Sequence, residues 1–300
     1  MVHWNPVRTM RETTPIHSRY GLRIDGVQLA DITAEQGYPE IRRAFEEHSL
    51  LHFPDQSLDD AEHLRLGALF GPREDRSLRP DQPNPAISMV SNVREDGRVY
   101  RAGDRRLLDL QSNMLWHTDS TFLPVPALAN ILVGRVVPSS GTATAFTSSR
   151  IAWESMPEAL KGRARNLYFR HDYTHSRRKV DAALAGEEKF THWGQQVWKS
   201  VWTNPVNGRE ALYIASHACG VVGMPDRAAL ALIDELTQWS TRKEYVHVHQ
   251  WKEGDVLIWD ERAMLHRGVP WNYREARILS SICISATRED GLDEMRYPPQ

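Results

Sequence analysis

Residues 115–122 read Leu-Trp-His-Thr-Asp-Ser-Thr-Phe (LWHTDSTF), one imidazole two positions before one carboxylate among aromatic and β-branched neighbours. Such neighbours favour a strand. On a strand, side chains at i and i+2 share a face, so His117 and Asp119 reach one point while Trp116 and Thr118 face away.

Outward from this stretch, short alternating runs recur: ISMVSNV (87–93), ALANILVGRVV (127–137), NLYFRHDY (166–173), ALYIAS (211–216), YVHVHQW (245–251), DVLIWD (255–260) and ILSSICISA (278–286). GLRIDGVQL (21–29) adds an earlier strand bounded by glycine. Strands at this density predict a mainly β fold, a two-sheet jelly roll with helices packed outside. The helices are few. YPEIRRAFEEH places Ile41, Ala44, Phe45 and His48 on one face, and Leu50, Leu51 and Phe53 then leave it as a strand. Ser57, as an N-cap with Asp60 in the first turn, opens a helix that Gly71-Pro72 ends, and Pro225 begins another carrying Ala229, Leu232, Ile233 and Leu236 on one stripe. Residues 1–18 read as a polar N-terminal arm and 19–300 as a single domain. Within it the polar stretch 172–201, with SRRK and GEEK and then Trp193, Trp198 and the following Trp202, reads equally as an active-site flap with aromatic residues on its inner side or as a surface excursion whose tryptophans pack on the sheet.

Three hundred residues allow a sizeable core, and 41% apolar with 25% charged residues is the balance of an ordinary globular protein. A net charge of −2 gives no electrostatic case for nucleic acid or an anionic membrane, which leaves a small-molecule partner. No apolar run reaches the length of a membrane span and the N-terminus lacks the order of a signal peptide, so the expected location is the cytoplasm. Cys219 and Cys283 form no metal-binding CxxC pair and read as buried thiols.

One imidazole and one carboxylate suit a divalent first-row metal, but a stable centre needs a third protein ligand. His266 is the candidate. It lies in VLIWDERAMLHRGVPW (256–271), just past a strand, where the turn before Pro270 would present it to the barrel mouth. Two histidines and a carboxylate on one face of an octahedron leave three positions open, the facial triad of non-heme iron(II) oxygenases. His247 and His249 share a face but have no carboxylate on it, and read as sheet-surface residues. His217, in IASHACG, follows a strand and reads first as a packed structural histidine and second as one that looks into the pocket.

WHTDSTF, then PSSGTATAF (138–146), then IWDERAMLHRG (258–268) and Arg277 resemble, in order, the TauD/TfdA family of iron(II)- and 2-oxoglutarate-dependent dioxygenases. The segments around Ser91-Asn92-Val93 and Ser216-His217-Ala218 look most like its aryloxyalkanoate dioxygenase branch. The resemblance implies a double-stranded β-helix, with His117, Asp119 and His266 holding Fe(II). It further implies Thr144 and Arg277 on the distal carboxylate of 2-oxoglutarate, O2 as oxidant, and dimers or tetramers of the chain. A guanidinium offers a carboxylate a planar fork and a hydroxyl adds a directed donor, which suits Arg277 and Thr144 independently of family. Halogenating relatives lack the carboxylate that Asp119 provides, so hydroxylation is implied. Hydroxylation at a carbon bearing an ether oxygen gives an unstable hemiacetal, and the same chemistry applies to a sulfonate, a sulfate ester or an amino-acid-derived intermediate.

Two positions depart from the pattern. Glu261 stands where an asparagine is common. Ser281 stands where many members carry a second arginine for the substrate's anionic head, and serine cannot form a bidentate charge-assisted pair. Arg101, Arg105 or Arg106, or Arg73 or Arg76, then become candidate anchors, and Asn113 matches a family asparagine near substrate. A zinc hydrolase on the same ligands leaves Arg277 and Thr144 unexplained, and the chain has no HExxH. A non-catalytic ligand sensor would keep an intact triad of buried polar groups for no return.

Overall fold

The computed structural model describes residues 12–298, apart from 80, 83 and 102. Residues 1–11 of the expected arm lie outside them, and Glu12–Pro15 forms a strand paired with Leu22–Asp25.

Strand Val256–Asp260 is buried at every position, with Val256 and Ile258 in one cluster and Leu257 and Trp259 in another. A strand apolar on both faces needs a cover on each. It lies within a seven-stranded sheet ordered Glu12–Pro15, Leu22–Asp25, Leu50–Phe53, Val256–Asp260, Ala127–Val136, Ile278–Ser285, Ser88–Ser91. Helices Tyr38–His48 and Asp60–Phe70 cover the outer face through Ile41, Phe45, Leu66 and Phe70. A three-stranded sheet, Val246–Gln250, Ala143–Ser148 and Met264–Gly268, covers the inner face, contributing Phe146 and Met264. The two facing sheets form the jelly roll. A second three-stranded sheet, Ala218–Val221, Tyr168–Asp172 and Gln195–Lys199, and a two-stranded one, Glu210–Leu212 with Val201–Thr203, extend it. Helix Asp226–Ser240 packs its Ala229, Leu232, Ile233 and Leu236 stripe there. No described helix is long and apolar enough to cross a membrane.

Several local expectations are corrected. LWHTDSTF makes no strand: only His117 bridges, and at Ser120 the chain turns with φ 62°. His266 lies inside strand Met264–Gly268, because cross-strand bonds to Ala143–Ser148 continue through it. ALYIAS is a strand only at its start, within Glu210–Leu212. The 172–201 stretch is built of short helices and strand Gln195–Lys199, with Trp198 and Trp202 in the core and Trp193 half-buried. The cap of the second helix is Asp59 rather than Ser57. Asp59 Oδ1 accepts from the Glu62 N–H at 2.7 Å while Glu62 Oε2 accepts from the Asp59 N–H at 2.8 Å, a reciprocal box that satisfies two orphan donors. Asp59→Ala should therefore cost about 1 kcal/mol of stability, read from the denaturant midpoint, with wild-type stability the contrary result.

Candidate metal and co-substrate site

Strand period places Arg277, Leu279, Ser281 and Cys283 on one face, and all four line a cavity of about 460 Å3 between the sheets. Ile282 and Ile284, on the other face, join the helix-covered core. Ala127–Val136 behaves likewise, with Asn130 and Leu132 in the cavity and Ile131 and Val133 outside.

His117 and His266 exchange both backbone bonds, His117 N–H to His266 O at 3.0 Å and the reverse at 2.8 Å. Such directly opposed residues project side chains to one side. Their ring centroids are 4.2 Å apart. Thr118 Oγ1 donates to Met264 O at 2.8 Å, holding the segment to the same strand while the turn carries Asp119 over the pair. His117 Nε2 lies 3.6 Å from Asp119 Oδ1 and His266 Nε2 lies 3.8 Å from Asp119 Oδ2, too far for hydrogen bonds and close enough to share an ion. His117 Nδ1 faces Leu115 O at 2.7 Å, which puts its proton there and leaves Nε2 a bare ligand. Asn130 Nδ2 donates to Asp119 Oδ2 at 2.7 Å. These residues fit an octahedral ferrous ion with open positions toward the cavity.

The electrostatics agree. Burial opposes ionisation of Asp119, but His266, His117, Arg76 and the Asn130 amide outweigh it and hold the carboxyl well below its usual range. Burial, with His117 beside it, drops the His266 imidazole to about 3, so it is neutral and metal-ready. Glu261, fully buried near Asp119, is pushed well up, and its Oε2 accepts the Asp119 N–H at 2.9 Å. Its turn is fixed by a buried ion network in which Arg262 bonds Asp260 Oδ1 at 2.8 Å and Glu46 Oε2 at 2.6 Å.

Arg277 is buried under Trp271, 4.6 Å from the ring centroid, with no ion pair among the described residues and no hydrogen bond from Nε. Burial drops its pKa to about 10. An uncompensated guanidinium in a cavity wall is a receptor for an anion. Thr144 lines the same cavity and its Oγ1 accepts the Trp251 indole N–H at 2.9 Å, so its own proton is free to donate.

The remaining candidates divide. Asn113, Arg76, Arg106 and His217 line the cavity, whereas Arg101, Arg105 and Arg73 do not. Arg101 is corrected: it is exposed, with its backbone N–H on Asp104. Arg105 pairs with Glu187. Arg76 is held by Glu74 and Ser120. Cys283 reaches the cavity instead of being sealed in the core. His249 is buried and bonded to Asp255 at 3.1 Å, so it is not a sheet-surface residue. The carboxylate arrives from the next turn, off the histidine's own strand. Asn130 and Arg177 went unpredicted. The polar Asn130 within an apolar strand was a readable signal, while Arg177 in SRRK had none.

A model of the family described as "Taurine catabolism dioxygenase TauD, TfdA family" matches residues 12–283. The (S)-phenoxypropionate/alpha-ketoglutarate-dioxygenase of Sphingobium herbicidovorans is 31% identical over 89% of this chain and 92% of its own. The alpha-ketoglutarate-dependent 2,4-dichlorophenoxyacetate dioxygenase of Cupriavidus pinatubonensis is 30% identical over 85% and 90%. The crystal structure of AAD-2 in complex with Mn(II) and N-oxalylglycine superposes with a TM-score of 0.86 at 26% identity, covering 93% of this chain and 98% of that one.

Proposed function

The chain belongs to the TauD/TfdA family of dioxygenases, and from that premise we propose that it hydroxylates an aryloxyalkanoate acid at the carbon bearing the ether oxygen. Its class is that of an Fe(II)- and 2-oxoglutarate-dependent dioxygenase using O2. The observation that carries the site assignment is Arg277, buried without a counter-ion among the described residues, in the wall of the cavity that the His117, Asp119 and His266 cluster also lines.

In this reading His117, Asp119 and His266 hold the iron, and Arg277 with Thr144 grips the distal carboxylate of 2-oxoglutarate. Iron supplies the oxidising chemistry that turns 2-oxoglutarate and O2 into succinate and carbon dioxide while the substrate gains a hydroxyl. The protein's part is orientation and exclusion of water. Phe122 stacks on Tyr173 with centroids 3.5 Å apart and meets His217 edge-on at 4.9 Å, an aromatic wall suited to an aryl group. Burial and Arg177 push the His217 imidazole well down, so it stays neutral there, and its Nδ1 has no partner.

With Ser281 facing the cavity, the acid's head group falls to Arg177. This guanidinium is buried in the cavity wall, its Nε makes no hydrogen bond, and its ion pair with Asp109 is long at 3.5 Å. Hydrogen bonds to charged groups contribute about 1.5–3 kcal/mol, so Arg177→Met should raise the acid concentration needed for half-maximal turnover about tenfold or more. It should raise the 2-oxoglutarate requirement less. An equal rise in both would remove Arg177 from the substrate's side of the cavity.

The collapse of the hydroxylated ether to a phenol needs no further group from the chain. A single domain over 19–300 with 172–201 as a flap, a cytoplasmic location and assembly into a dimer or tetramer belong to the same proposal, the last read by light scattering. The test of substrate class is succinate release across aryloxy acids, sulfonates, sulfate esters and amino acids. The proposal expects the aryloxy acids to give the highest rates. Preferential turnover of a sulfonate or sulfate ester would replace them.

A further inference from the structure

A second His-His-Asp cluster stands apart from the residues lining the active-site cavity. His52 comes from strand Leu50–Phe53 of the larger sheet, His249 from strand Val246–Gln250 of the smaller, and Asp255 from the turn before Val256–Asp260. His52 Nε2 lies 2.9 Å from Asp255 Oδ1, His249 Nε2 lies 3.1 Å from Asp255 Oδ2, and the two rings are 4.6 Å apart. All three are buried, yet they form one wall of a separate cavity of about 280 Å3 that also presents His247 and Asp55.

We propose that His52, His249 and Asp255 bind a second divalent d-block ion, for which zinc is the probe, with water from this cavity as fourth ligand. The carboxylate is already oriented as a metal ligand requires: its Oδ2 accepts the Lys252 N–H at 2.8 Å. The turn that carries it is locked to Gly134, which exchanges bonds with Asp255 O at 2.9 Å and Gly254 N–H at 3.0 Å. A Cβ on Gly134 would stand 2.7 Å from Lys252 O, so only glycine permits this approach. Binding needs each imidazole to turn a bare Nε2 toward the ion and to carry its proton on Nδ1. Arg23, the guanidinium in this wall, is engaged by Asp25 at 2.7 Å.

The ion would join the two sheets of the jelly roll at one end. It would also stand behind the co-substrate pocket, since the His249 ring contacts Trp251 at 4.9 Å and Trp251 holds Thr144. The cluster owes nothing to the iron assignment, so the two readings stand or fall separately.

The test is zinc stoichiometry on the metal-stripped full chain, with zinc-edge anomalous diffraction to place the ions. The parent should bind two zinc ions, and His117→Ala/His266→Ala should retain the one located between His52, His249 and Asp255. His249→Gln should lose that ion and keep the other, with far-UV circular dichroism reading the fold. A parent crystal saturated with zinc but lacking anomalous density between these side chains means that the two hydrogen bonds to Asp255 alone occupy the cluster, and overturns the proposal whatever the variants do.

Discussion

His266→Ala is expected to lower 2-oxoglutarate turnover by more than about 100-fold, because partners of metal ligands already cost 10–100-fold when removed and a direct ligand costs more. The geometry makes the loss hard to repair. His117 and His266 are locked opposite each other by two backbone bonds, and the Asn130 amide fixes Asp119, so the remaining ligands are held where they stand and do not close over the vacated position. His117→Ala and Asp119→Ala should behave alike, measured as succinate released per chain under saturating iron and 2-oxoglutarate. Parent-like rates in any of the three would remove that residue from the centre.

Arg277→Ala has the second-largest expected effect, and it acts in two directions. Truncating one side of a buried charge pair costs about 2–5 kcal/mol, a loss of roughly 30-fold to several thousand-fold in 2-oxoglutarate affinity. The protein without co-substrate should be no less stable, because the same guanidinium is buried there with no counter-ion among the described residues and its removal leaves no charge unpaired. The sign follows from the shift. A base whose pKa falls on folding destabilises the fold at every pH below its folded value, here about 10, and the penalty is relieved only as pH rises through that value. Melting temperatures with and without 2-oxoglutarate check both arms. The parent should show a ligand-induced rise and Arg277→Ala none, from an equal or higher starting point. A variant that melts lower alone and retains the rise would make Arg277 a structural residue.

Both results rest on features unevenly legible in the sequence. The jelly roll could be read because its strands are apolar on alternating or on both faces, as in DVLIWD, and because its helices carry plain stripes. The three proposed ligand residues, which the structure brings together, could be read as a set, but their local structure could not. LWHTDSTF has the composition of a strand, and only its neighbour at His266 reveals that one bridge and a turn at Ser120 present the pair. The helix start at Asp59 was masked by Ser57, an equally good cap by residue type. Whether Asp59 or Ser57 caps depends on where Leu58 goes, and Leu58 is buried in the core. Long-range charge partners were the least legible. Nothing near Arg177 in the sequence points to Phe122 or His217, and nothing near His249 except Asp255, six residues on, hints that an apparent surface histidine faces a carboxylate between two sheets.

The central claim is that His117, Asp119 and His266 hold iron with room for the keto acid beside it. Anaerobic addition of Fe(II) and 2-oxoglutarate to the metal-free protein tests this most directly through the visible absorption of the bound pair. The account predicts a weak charge-transfer band that needs both additions, survives in Arg177→Met and is absent in His266→Ala. A parent protein that shows no band, yet turns over a substrate with zinc and without 2-oxoglutarate, would contradict it.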